Sequence, residues 1–213
     1  DAECPQLQEW QRANLNPPRV SINISPLHFR DRSIIDAVRR VTAEYAVTPS
    51  MIELEITETV GQDDLETMAV LRQLEEIGVK IAIDDFGTGY TSIRYLRDFP
   101  AKELKIDQLF TRELAEGGRD YSLISGIVRL AKGIGAHTVA EGIEDAETLR
   151  ILLDLGCDIG QGFYLGYQVP AENFTHNENG EILVFPKVDR HYPSASSVLT
   201  LQNEEKTKSF DAA

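Results

Sequence analysis

Six short runs carry polar residues at the ends of strand-like apolar stretches: Ser21-Ile22-Asn23-Ile24-Ser25, Glu53-Leu54-Glu55-Ile56-Thr57-Glu58, Ile81-Ala82-Ile83-Asp84-Asp85, Leu104-Lys105-Ile106-Asp107, Val139-Ala140-Glu141-Gly142 and Ile159-Gly160-Gln161-Gly162. Side chains alternate faces along a strand. Asn23 therefore shares a face with Ser21 and Ser25, Glu55 with Glu53 and Thr57, and Lys105 with Asp107, while Ile, Leu and Val fill the opposite face. Carboxylates gathered on one rim repel each other unless cations lie between them. The chemistry to expect is that of metal ions held by oxygen ligands.

Asp84-Asp85-Phe86-Gly87-Thr88-Gly89-Tyr90 is the most informative segment. An Asp pair before Gly is commonly a turn. Here Asp84 ends an apolar strand, and adjacent carboxylates suit two neighbouring divalent ions, one bridging and one bound singly. Gly87-Thr88-Gly89 is no dinucleotide fingerprint, because Ser92 stands where a third Gly is needed. Other motifs are weaker alone. Glu53 reads as a solvent-exposed strand end, Lys105 and Asp107 as an ion pair or separate groups, and Glu141 as a helix-start charge unless Asp145 is the cap. Asn23 and Gln161-Gly162 are individually weak, and turn roles are more common for both. His28, His137, His176 and His191 lack metal-ligand spacing, and no GxSxG elbow or Cys–His pairing supports a covalent nucleophile.

The elements that must position these groups alternate. Val20–Ser25 and Met51–Thr57 read as strands, with a helix over 33–47 between them. Asp63 reads as an N-cap with Glu66 in the capping-box position, opening a helix that Gly78 stops. Strands over 79–84 and 104–107 precede a helix carrying Tyr121, Ile124, Ile127, Val128, Ala131 and Ile134 on one stripe. A strand over 137–141, a helix over 146–155 and a strand over 158–165 follow. Alternating βα units without hairpin signals predict a parallel sheet. Residues 1–174 read as one barrel-like domain and 175–213 as a polar, largely irregular tail with one short strand near Ile182–Phe185.

Composition sets the outer bounds. The chain has 213 residues and 35 acidic against 21 basic residues, a net charge of −14 that disfavours polymeric nucleic acid. Bound divalent ions would still let a small phosphate ligand enter. Cys4 and Cys157 form no disulfide framework or CxxC site, which fits a reducing cytoplasm. The chain starts on Asp within what reads as a helix (Cys4, Leu7, Trp10), so we expect a piece of a longer protein, one that membrane segments elsewhere could tether.

Together the six runs resemble the EAL-type cyclic-di-GMP phosphodiesterases, from about Glu3 to Phe174. DDFGTGY and Ala140-Glu141-Gly142-Ile143-Glu144 are the most specific segments. The resemblance implies a modified (β/α)8, TIM-like barrel that hydrolyses cyclic di-GMP to linear pGpG with two Mg²⁺ or Mn²⁺ ions. It implies that Asn23, Glu55 and Asp84 hold one ion, and that Asp84 bridges to a second bound also by Asp85 and Glu141. Lys105 would contact the attacking water, which Glu141 helps to activate. Asp107 and Gln161 would support the water or substrate side, and Glu58 would anchor the loop that begins at Asp84. Members often dimerise through the barrel and carry GGDEF or sensory domains upstream.

The Glu-Ala-Leu segment that names the family would lie before Asp1, together with the first two barrel strands. We therefore expect about six of eight strands, exposed edges at the first and last of them, and an isolated chain that is poorly stable and nearly inactive. Tyr167-Gln168-Val169-Pro170 also departs from the family pattern. Two rivals follow: a catalytically silent EAL-like receptor or docking module, and a metal-dependent barrel hydrolase acting on another phosphate ester.

Overall fold

Apolar–polar alternation in the strands becomes two unlike surfaces of one curled sheet. The computed structural model describes residues 4–13, 19–30, 33–60, 65–89 and 92–166, with three short strands at 174–176, 182–184 and 198–200. Six parallel strands lie side by side in chain order: β1 (Val20–Asn23), β2 (Ile52–Thr57), β3 (Lys80–Phe86), β4 (Glu103–Ile106), β5 (His137–Ala140) and β6 (Ile159–Gln161). Their helices are α1 (Cys4–Arg12), α2 (Leu27–Arg30), α3 (Ser33–Glu44), α4 (Leu65–Ile77), α5 (Ile93–Asp98), α6 (Gln108–Thr111), α7 (Arg119–Ile134) and α8 (Ala146–Leu155). This is the architecture of a (β/α) barrel with six parallel strands among the described residues.

Register decides which side chains share a surface. Ser21 stands opposite Glu53, Asn23 opposite Glu55, Ala82 opposite Glu103, Lys105 opposite Val139 and Val139 opposite Ile159. The other set, Leu54, Ile56, Ile81, Ile83, Leu104 and Ile106, is almost fully buried. It packs toward helix residues such as Val38, Val70, Leu71, Leu74, Ile124 and Val128. Burying a large aliphatic side chain contributes roughly 1.5–3 kcal/mol, so the apolar layer holds the sheet while the concave face is left to polar groups. Helix ends follow the sequence signals: Gly78, Gly135 and Gly156 have positive φ just after α4, α7 and α8, and Asp145 accepts a 2.8 Å bond from the Thr148 amide at the start of α8.

The curl shows in one ion cluster at the N-terminal mouth. Strands lie about 4.8 Å apart, yet Arg19, just before β1, reaches Glu53 on β2 at 2.6 Å and Glu103 on β4 at 2.5 Å. Ser21 also donates to Glu53 at 2.9 Å. This overturns the reading of Glu53 as a solvent-exposed strand end. It is 4% exposed, because the strand faces into a curved sheet rather than outward.

Several other expectations change. The regular pairing of the first and last strands stops at Asn23 and Gln161 instead of running on to 25 and 165. The expected open edge of the last strand is covered: β9 (Val198–Thr200) pairs antiparallel with β6, while β7 (Phe174–His176) and β8 (Ile182–Val184) pair with each other. Asp63, Tyr90 and residues 167–170 lie outside the described residues.

Replacing Arg19 with Ala should cost about 2 kcal/mol in urea unfolding, because two buried carboxylates lose their cation. Burial and then Glu103 raise the Glu53 carboxyl above its ordinary range. A raised carboxyl favours the fold when protonated, and that contribution disappears as pH rises through its folded value. The variant should therefore recover stability as the pH is lowered; a loss that does not change with pH would contradict the assignment.

Candidate metal centre

The same register that buries the apolar layer lines up the chemistry at the C-terminal ends of the strands. Asn23 stands opposite Glu55. Thr57 stands opposite Asp84, and Lys105 stands on β4 beside the Val139 position that leads to Glu141. Ile159, and two residues on Gln161, continue the face onto β6. In a parallel barrel this rim is where βα connections present functional groups.

Asp84 and Asp85 are adjacent, so a regular strand would send them to opposite faces. A bulge prevents this. Between Ile83 and Phe86 the chain of β3 advances three residues while β4 advances two, from Leu104 to Ile106. Asp85 takes the extra place at φ 53°, a left-handed conformation that Asp tolerates better than most residues. Gly87, at φ 101°, completes the turn where a Cβ would come 3.0 Å from the Phe110 ring. Carboxylate oxygens of Asp84, Asp85 and Glu141 consequently all lie within 4.8 Å of one another. The paired Asp residues were legible in the sequence; the bulge that makes them neighbours was not.

Lys105 lies at the centre. Its ammonium is 2.9 Å from Glu55, 2.9 Å from Asp84 and 2.8 Å from Glu141, and the residue is 7% exposed. Burial alone would lower the ammonium, but hydrogen bonds and charge from Glu141, then from Asp84 and Glu55, push it well above the ordinary lysine range. It remains a cation and cannot serve as a base near neutrality. It also resolves the sequence ambiguity: Lys105 serves these three carboxylates, while Asp107 caps α6 by accepting from the Leu109 amide at 2.7 Å.

Asp85 sits at the edge of this cluster, and its carboxyl, when protonated, hydrogen-bonds Asp107. Partial loss of solvation, that hydrogen bond, and repulsion from Asp84, Asp107 and Glu141 push its carboxyl up to about 6. Glu58, just past β2, accepts from the amides of Gly87 and Gly89 at 3.0 Å each, tying down the turn after Asp85. Glu141 follows β5 in irregular chain, with its amide on the Ile106 carbonyl at 3.1 Å. The Gln161 carbonyl accepts from the Ile143 amide at 3.1 Å, joining the β5 and β6 connections. Gly162 permits this contact, since a Cβ there would fall 2.2 Å from the Ile143 backbone.

Four carboxylates thus gather at this rim: Glu55, Asp84 and Glu141 share one ammonium, and Asp85 lies beside Asp84 and Glu141. Hard oxygen donors converging without thiolate or imidazole fit Mg²⁺ or Mn²⁺. Asp84, Asp85 and Glu141 meet that test by distance, and Glu55 and Asn23 adjoin them through register and Lys105.

Residues 2–168 match the family model described as the EAL domain. MucR of Pseudomonas aeruginosa, a bifunctional diguanylate cyclase/cyclic di-GMP phosphodiesterase, is 39% identical over 173 residues, covering 81% of this chain and 25% of MucR. The cyclic di-GMP phosphodiesterase PA2567 of the same organism is 40% identical over 168 residues, covering 78% and 28%. The chain thus spans about a quarter of the length of these relatives. Among solved structures, the PaMucR phosphodiesterase in complex with c-di-GMP aligns with a TM-score of 0.75 over 80% of this chain and 75% of that one. The manganese/cyclic-di-GMP complex of Klebsiella pneumoniae BlrP1 aligns with a TM-score of 0.66 at 26% identity, over 75% and 41%.

Metal binding requires ionised carboxylates. With Asp85 near 6, Mn²⁺ affinity should be steady above that pH and fall as pH drops through it. Asp85→Asn should remove that part of the pH dependence; calorimetric titrations at several pH values would reveal a flat profile for the wild type if Asp85 plays no part.

Proposed function

The chain belongs to the EAL domain family, and from that premise we propose that its barrel hydrolyses cyclic di-GMP to linear pGpG. The observation that carries this reading is the convergence of Asp84, Asp85 and Glu141 oxygens beside a buried, permanently charged Lys105. That the PaMucR neighbour is a c-di-GMP complex supports the choice of substrate.

Two Mg²⁺ or Mn²⁺ ions are the proposed cofactors, with Asn23, Glu55 and Asp84 holding one and Asp84, Asp85 and Glu141 the other. When bound, such a pair neutralises phosphate charge and acidifies water. Glu141 would help to activate the attacking water by taking its proton as the water oxygen bonds to phosphorus; the phosphorus–ester oxygen bond breaks, and the departing oxygen takes a proton from solvent as the ring opens. Lys105 holds Glu55, Asp84 and Glu141 in fixed relation and presents positive charge to the water and the developing phosphoryl charge. Asp107 caps the start of α6 and, with Gln161, supports the water or substrate side, and Glu58 keeps the Gly87–Gly89 turn in place.

A homodimer through the barrel and an upstream GGDEF or sensory domain are further parts of this proposal; MucR's bifunctional description supports the second. No helix among the described residues is long and apolar enough to cross a membrane. The proposed setting is the cytoplasm, where the buried Cys157 thiol stays reduced.

The test is cyclic di-GMP incubated with Mn²⁺ and the full-length parent protein that carries this domain, with products separated by chromatography. Glu141→Gln should abolish turnover, at least a hundredfold, with a far-UV spectrum like wild type. Chelation should stop the reaction, and Mn²⁺ should restore it. Turnover by Glu141→Gln equal to wild type would remove Glu141 from the mechanism.

A further inference from the structure

Glu141 supplies an oxygen to the carboxylate cluster from a stretch, 141–144, that belongs to neither strand nor helix. Something must hold it there. Its amide is held by Ile106 at the end of β4, and its carbonyl is held by a side chain that none of the six polar runs contains. Thr111, the last residue of α6 and 1% exposed, donates from its hydroxyl to the Glu141 carbonyl at 2.5 Å. The same hydroxyl lies 3.1 Å from the Gln108 carbonyl. A hydroxyl has one hydrogen, and the closer Glu141 oxygen is the better partner.

We propose that Thr111 is a positioning residue for Glu141, fixing through this bond the backbone from which the metal-binding carboxylate projects. The proposal deepens the metal reading above and rests on it.

The surrounding geometry makes the bond directional. Asp107 caps α6 through the Leu109 amide, so α6 starts from the strand that carries Lys105. Four residues on, Thr111 turns back to Glu141. Lys105 and Thr111 therefore grip one residue at both ends, the ammonium on its carboxylate at 2.8 Å and the hydroxyl on its carbonyl. Gly142 lets the chain come this close: at φ 69°, a Cβ there would lie 2.6 Å from Gln108 Cβ and 3.2 Å from Thr111 Oγ1. A valine at 111 would keep the shape and lose the donor, leaving the carbonyl without its hydroxyl partner. Groups that orient metal ligands commonly change metal affinity roughly 10–100-fold when removed.

The experiment is a Mn²⁺ titration of the 213-residue chain, followed by the electron paramagnetic resonance signal of free Mn²⁺, for wild type, Thr111→Val and Thr111→Ser. The Val variant should bind about tenfold more weakly and Ser within about twofold of wild type. Val binding as wild type does, even with a lower melting temperature, would assign Thr111 to packing alone and overturn the proposal. Equal weakening by Val and Ser would do the same, because the hydroxyl would then be irrelevant. If Val fails to fold, Thr111→Cys, a weak donor of similar size, takes its place: weakening of about threefold or more supports the proposal, and wild-type affinity overturns it. Wild type that binds no Mn²⁺ would remove the metal reading itself, an outcome distinct from one in which the wild type binds and the variants match it.

Discussion

The rim of this half-barrel is organised around one ammonium. Lys105 meets carboxylates from β2, β3 and the segment after β5. A buried amine in an apolar pocket would give up its proton; here three anions keep it. The carboxylates depend on it equally, since Glu55 and Asp84 project from neighbouring strands and would separate if left alone. The cluster is both a product of the sheet's curvature and a reason for that curvature to persist.

A second ion cluster does similar work at the opposite mouth. Arg19 joins Glu53 and Glu103 two residues before Glu55 and Lys105 on the same two strands. The concave face therefore carries two layers of ionic contacts, with Ala82 of β3 opposite Glu55 on one side and Glu103 on the other. The usual barrel interior is filled by branched aliphatic side chains. Here the aliphatic groups lie against the helices, and ionic contacts set the inner spacing.

Much of this was legible in the sequence because it follows from period. Two-residue alternation put Asn23, Glu55, Lys105 and the Glu141 position on one face, and helix stripes identified the partners of the opposite face. What could not be read there depends on groups far apart in the chain. Glu53 looked exposed because its cation, Arg19, stands 34 residues before it, and Arg19 is shared with Glu103, 84 residues further along from Arg19. The Lys105 to Asp107 spacing gave no sign that the lysine turns toward β2 and β5. Thr111 and Gly162 matter through backbone contacts made only when successive connections pack together. The extra residue at Asp85 is hidden for a related reason: strand periodicity assumes a regular ladder, and a bulge breaks it.

That extra residue makes the length of β3 a digital setting. Removing one residue between Ile83 and Phe86 would leave the hydrogen-bond ladder free to run straight on, with Ile83 and Phe86 still facing the helices and a single carboxylate between them on the concave face. The ladder would keep its pairing, and the cost would fall on the carboxylate cluster, which would lose one of its members. Substitutions in this stretch can grade the chemistry, whereas a frame change of a single amino acid has no intermediate outcome.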